Sequence, residues 1–178
     1  MLISLMLTSM LTSTLSGCLK QAQIPQAAAP TPVAVGAVME YLDAETVEAV
    51  PDALSSAVGD ALTARNLPPT LVDAASWSDA RNSQLRLQQL GEASDAELLL
   101  LLETHAEFFS QLSGQFRWTV SVRATVATSV DLEGAVVEEF EVPVFLFNYN
   151  EREREALEAA TPTIERKVGG LVEQFLGL

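Results

Sequence analysis

One cysteine, Cys18, and one histidine, His105, supply the only thiol and the only imidazole among 178 residues. One thiol makes no internal disulfide. Zinc and related sites draw on several Cys or His side chains, so no metal centre of that kind is expected. Basic residues are scarce as well: 10 Lys and Arg stand against 24 Asp and Glu, for a net charge of −14. The positives are scattered and form no run. A surface this acidic repels nucleic acid and anionic head groups, so nucleic acid is not an expected partner. The sequence has no P-loop or dinucleotide fingerprint, no G-x-S-x-G elbow and no D-x-D-x-D-G calcium loop. No cofactor and no catalytic residue is expected.

What the chain does have begins at residue 1. Residues 1–17, MLISLMLTSMLTSTLSG, are apolar and uncharged with small hydroxyl residues. The run is shorter than the roughly 20 apolar residues of a membrane span. An apolar stretch closed by small residues is the pattern of an export signal. Leu15-Ser16-Gly17-Cys18 resembles the bacterial lipobox, an aliphatic residue and two small residues ahead of a cysteine. That resemblance implies cleavage between Gly17 and Cys18, with diacylglycerol on the Cys18 sulfur and acylation of the new amino group. A plain secretory signal with a chance cysteine is the alternative. No Lys or Arg precedes the apolar run, where an export signal ordinarily carries one; a true start upstream of Met1 would account for that. Residues 19–32, LKQAQIPQAAAPTP, show no hydrophobic period and read as an extended tether. Under the lipobox reading the anchor spans 18–32. Leu19 after the cysteine, in place of Asp, favours the outer membrane facing the periplasm.

Residues 33–178 are long enough for one folded domain. Residues 33–42 read as a strand. Pro51 opens a helix whose Leu54, Ala57, Val58, Ala61 and Leu62 share one face, and Asn66 with Pro68-Pro69 ends it. A short strand is expected at 70–74. A second helix is expected from a cap at Ser78, with Leu85, Leu87 and Leu90 inward and Gly91 closing it in the left-handed conformation. Five consecutive leucines, 98–102, fit a strand covered on both faces. Ser113-Gly114 is a turn. Phe116, Trp118, Val120, Val122, Ala124 and Val126 then alternate with polar residues over a long strand. A turn at 131–134 leads to a third strand with Phe140, Val142, Val144 and Leu146 inward. Pro143 places that strand at a sheet edge. A last helical region starts at Glu151, with a kink or restart at Pro162 capped by Thr161. The expectation is an α/β (α+β) sandwich: a mixed sheet of about five strands with a three-stranded antiparallel meander and helices packed on it, in the order β-α-β-α-β-β-β-α.

Two turns carry a resemblance. Leu90-Gly91-Glu92-Ala93-Ser94-Asp95-Ala96-Glu97-Leu98-Leu99 and Asp131-Leu132-Glu133-Gly134 resemble the turns around the meander in one group of envelope proteins. That group includes the penicillin-binding-protein activator lipoprotein, the curli secretion lipoprotein and the amino-terminal domain of the Tol translocation protein. The similarity covers about residues 33–147, and the first turn is three residues longer here. It implies an accessory role exerted by binding, and it assigns no site residue.

Three sets of side chains are candidates for activity. His105, flanked two residues either side by Glu103 and Glu107, reads as a proton-transfer or ligand site, or as a surface ladder of carboxylates about an imidazole. Glu138-Glu139, Glu151 and Glu153 read as a solvated acidic face rather than as paired acids for glycoside chemistry. Phe145, Phe147 and Tyr149 alternate at the expected edge, as a partner-binding strand or as residues covered by the last helix. The functional expectation is a non-enzymatic envelope lipoprotein, held to the membrane by its lipid and binding a protein partner. A carrier or assembly factor for an amphiphile such as lipopolysaccharide is the alternative.

Overall fold

The computed structural model describes residues 30–41, 47–78, 82–148 and 150–178. The expected signal, Cys18 and most of the tether lie outside them. The fold is α+β: one six-stranded mixed sheet with three α-helices packed on it. The elements run β1 (Val33–Glu40), β2 (Val47–Ala49), α1 (Asp52–Thr63), β3 (Pro69–Leu71), α2 (Ser83–Glu92), β4 (Leu98–Leu112), β5 (Gln115–Thr128), β6 (Asp131–Leu146) and α3 (Glu153–Leu176). Across the sheet the order is β2-β1-β4-β5-β6, with β3 also on β1. β1 pairs in parallel with β4 over its whole length, Val33 against Leu98 through Glu40 against His105. Its other side is shared by β3, parallel at residues 33–35, and β2, antiparallel at 38–40.

The leucine run sits at the centre of this arrangement. All five leucines of 98–102 are at most 2% exposed. Successive side chains of a strand point to opposite faces. Leu98, Leu100 and Leu102 therefore join a core with Leu54, Val58 and Leu62 of α1 and Leu157, Ile164 and Val168 of α3. Leu99 and Leu101 join a second core with Trp77 and with Leu87 and Leu90 of α2. Burial of each such side chain contributes about 1.5–3 kcal/mol, which fixes β4 as the axis of the domain. The alternating face of β5 holds as expected, with Trp118, Val120, Val122, Ala124 and Val126 under α3. The β4–β5 turn has both central residues at positive φ, Ser113 at 51° and Gly114 at 82°, as a tight hairpin requires.

Several local expectations are corrected. A sixth strand, β2, is present because three residues before Pro51 find a ladder on β1. The cap of α2 is Asn82, whose side chain accepts from the Leu85 N–H at 2.9 Å. Ser78 instead closes a 3-10 turn at Ala74–Ser76, donating its N–H to the Ala74 carbonyl at 2.8 Å. Gly91 is a helical residue, and α2 ends at Ala93 with right-handed geometry. A Cβ at Gly91 would stand 3.2 Å from Leu99 Cδ1, so the glycine answers to close packing on the sheet. The chain reverses at 129–130, and Asp131 already belongs to β6. Helix α3 runs through Pro162 without a restart; Thr161 donates its hydroxyl back to the Leu157 carbonyl at 3.2 Å and caps nothing. Burial on one side by Leu157, Ala160 and Ile164 holds the helix together across the missing N–H.

Candidate functional site

The sequence places charge where the second core runs out. Along β4, residues 99, 101, 103 and 105 face the α2 side; the first two are core leucines, and Glu103 and His105 follow beyond them. Glu40, the last residue of β1, is the register partner of His105. Helix α2 turns Arg86 inward beside Leu87 and Leu90. Its guanidinium donates to Glu103 Oε1 at 2.6 Å and also to Glu40 Oε1. Arg86 and Glu103 are both buried, with 8% and 7% of the side chain exposed, while Glu40 is half exposed. Burial pushes the Arg86 guanidinium down. The hydrogen bonds and charges of Glu40 and Glu103 more than offset this, so its pKa stands above the ordinary arginine value.

His105 is half-buried beside this cluster. Its Nδ1 lies 2.8 Å from the Glu40 carbonyl oxygen. A carbonyl only accepts, so Nδ1 carries the hydrogen, and in the neutral ring Nε2 keeps its lone pair. That Nε2 and Glu103 Oε2 are buried without a hydrogen-bond partner. The open face of the meander continues the site. Arg123 faces Glu139 across the β5–β6 pair at 3.4 Å, and Glu141 faces Ser121. Together these residues wall a groove of about 680 Å³ between the start of α2 and β6. Among the described residues it holds four carboxylates, from Glu40, Glu103, Glu139 and Glu141, against the guanidinium groups of Arg86 and Arg123.

The candidate residues are thus separated. Glu103 and His105 share a face as expected, but Glu103 is neutralised by Arg86, so the pair is not a surface ladder; Glu107 is exposed. Glu139 lines the groove, whereas Glu138 pairs with Lys167 of α3 at 2.8 Å. Glu153 opens α3. Phe145 and Phe147 are 50% and 66% exposed, so α3 does not cover them. Phe145 points away from Val144 and Leu146, which pack beneath α3. Phe147 lies one residue past the end of β6. Tyr149, Gly17 and Cys18 lie outside the described residues. Sequence reasoning missed Arg86 and Glu40. The signal for Arg86 was Glu103 itself, since a carboxylate next to five buried leucines demands a cation.

Glu151 fixes the segment that follows the edge. Its Oε2 accepts from the N–H groups of Phe147 and Asn148 at 3.0 and 2.9 Å, and its Oε1 from the Asn148 amide at 2.8 Å. The Asn148 bonds, then the Phe147 bond, hold the carboxyl below the usual carboxylate range. A carboxylate whose folded pKa is depressed stabilises above its unfolded pKa, and the contribution fades as pH falls through the folded value. Amide exchange at Phe147 and Asn148 is therefore expected to be slow at neutral pH and to lose its protection below the usual carboxylate range. Glu151→Gln should show fast exchange at both. An unchanged exchange profile in the variant would refute the role of the carboxylate.

No protein-family model matches this chain, and no curated protein sequence matches it. Solved structures similar to it include a hypothetical protein from Chlamydia trachomatis, 13% identical over 82% of this chain and 96% of that one, with a TM-score of 0.45. A lipoprotein from Neisseria meningitidis is 11% identical over 79% and 99%, with a TM-score of 0.44. A protein from Xanthomonas campestris is 12% identical over 86% and 94%, with a TM-score of 0.45. Likeness of this degree assigns neither a family nor a function to the chain. Among the described residues, no helix is long and apolar enough to cross a membrane.

Proposed function

We propose that this chain is a non-enzymatic envelope lipoprotein, anchored by a lipid on Cys18, which binds an extended segment of a protein partner along β6. The supporting observation is the inequality of the two sheet edges. One edge is made of two three-residue strands, β2 and β3. The other is β6, sixteen residues long, with no strand beyond it among the described residues and with Phe145 and Phe147 exposed at its end. A long edge offers main-chain donors and acceptors to an added strand, and neighbouring aromatics supply apolar contact. Glutamates at 138, 139 and 141 and a proline at 143 protect the middle of β6 against indiscriminate pairing. The aromatic end is the part left open.

Placement supports the same reading. Val33, where the tether would enter, pairs with Leu98 at the start of β4. Phe145 faces Arg117, which faces Ser110 near the other end of β4. At a strand rise of about 3.3 Å per residue, the aromatics stand roughly 40 Å from the tether's point of entry. A lipid at Cys18 would hold the chain at the membrane and present this end away from it. The absence of Asp after Cys18 is the basis for assigning the outer membrane, facing the periplasm.

The test has two arms. Radiolabelled palmitate should enter the wild-type chain and not Cys18→Ala, and failure to label the wild type removes the anchor. A photo-crosslinking amino acid at 145 or 147 should give a discrete adduct in cells, and one at the exposed Glu158 of α3 should give none. Absence of that adduct, or the same adducts from Glu158, overturns binding at the edge.

A further inference from the structure

We propose that the groove beside His105 binds a cationic amino group, an ammonium or guanidinium, carried by a free polyamine or by a Lys or Arg side chain of another protein. The site lies away from the aromatic end of β6: Glu139, Phe140 and Glu141 of that strand line it, and neither Phe145 nor Phe147 does. Its first support is the kind of deficit it contains. Glu103 Oε2 and His105 Nε2 are two buried atoms two residues apart on one face, and neither has a partner. The carboxylate only accepts, and with Nδ1–H committed to the Glu40 carbonyl the neutral form of the ring offers only a lone pair at Nε2, so a donor satisfies both. A buried acceptor left without a donor is destabilising. A ligand that relieves both must bring at least two donors. An ammonium brings three and a guanidinium five, and neither has an acceptor to be stranded in turn.

The second support is charge. Among the described residues, four carboxylates face two guanidinium groups in the groove, a surplus of two negative charges that favours a cation over phosphate or carboxylate ligands. Glu40 and Glu103 already clamp one guanidinium, that of Arg86, so the site's chemistry is suited to the group proposed. The third is room. A groove of about 680 Å³ accepts an extended polyamine or a long basic side chain. The two acceptors are sealed from solvent, so the ligand reaches them when a side chain lining the groove rotates.

His105 is the only histidine, so its ring gives a single unambiguous set of nitrogen and proton resonances. The ring is followed in the whole folded chain while spermidine, or the tripeptide Gly-Lys-Gly amide, is added at constant ionic strength. A saturable shift of Nε2 is expected with at least one of them. Spermidine alone producing it assigns the free polyamine, and the peptide producing it assigns a protein side chain. Glu103→Gln and the exposed Glu141→Gln should each weaken the binding, Glu103→Gln by about tenfold, the scale of one charge-assisted hydrogen bond. If Glu103→Gln does not fold, Glu141→Gln carries the comparison. No saturable shift with either probe, or the same shift from sodium chloride alone, overturns the proposal.

Discussion

Arg86→Ala is expected to lower the unfolding free energy by about 3–5 kcal/mol, the range for removing one partner of a buried ion pair. The reason is what it leaves behind. Glu103 has 7% of its side chain exposed and its second oxygen has no partner. With the guanidinium gone, its charge stays buried without compensation, whereas Glu40 is half exposed and returns to water. The double variant Arg86→Met with Glu103→Leu separates this from lost packing. It removes the charge together with its partner and puts apolar atoms in their place, so most of the stability should return. Urea unfolding of the three proteins decides the matter. A double variant as weak as the single would mean that the cost lies in the packing of the arginine stem against α2 and the sheet. In that case the ion pairs of Arg86 with Glu40 and Glu103 are not what holds the start of α2 in place.

The same residue shows why part of the site was hidden in the sequence. Among Leu85, Leu87 and Leu90, an arginine at 86 reads as solvent-facing. The structure reverses neighbours: Leu85 is 45% exposed and Arg86 is buried. The partners that reverse them lie 46 and 17 residues away, beyond any periodicity window. The sheet was legible for the opposite reason. The leucine run, the strict alternation of β5 and the proline in β6 are local patterns, and each reports how many faces or edges a strand covers. β2 was not legible because three residues carry no period; its existence depends on the ladder that β1 provides. Gly91 was misread because a glycine near a helix end ordinarily signals a cap, and its contact with Leu99 is tertiary. His105 and its flanking glutamates could be placed on one face by alternation. Nothing in alternation brings Glu40 beside His105, because that neighbour comes from parallel pairing between strands separated by two helices.

Trp77→Ala is expected to cost about 3–5 kcal/mol, as large aromatic truncations in cores do. Trp77 is 1% exposed and its indole N–H donates to the Val72 carbonyl at 3.3 Å. The ring lies against Gly36 in the middle of β1. A Cβ on Gly36 would stand 2.8 Å from Trp77 Cζ2 and 3.2 Å from Leu90 Cδ1, and a fully buried indole has no room to give way. Gly36→Ala should therefore cost about 1–3 kcal/mol on its own. Because both changes act on one contact, they should not add: Gly36→Ala in the Trp77→Ala background loses its tightest clash, keeps only the 3.2 Å approach to Leu90 Cδ1, and should cost less than it does alone. Strict additivity would show that the indole is not what excludes a side chain from position 36. The effect should also reach the groove. Trp77 shares a core with Leu87 and Leu90, and Arg86 directly precedes Leu87 on the buried face of the same helix. Trp77→Ala should thus loosen the hold of Arg86 on Glu103 and move the His105 ring resonances, whereas a truncation at the far end of the opposite core, such as Leu171→Ala, should leave those resonances in place.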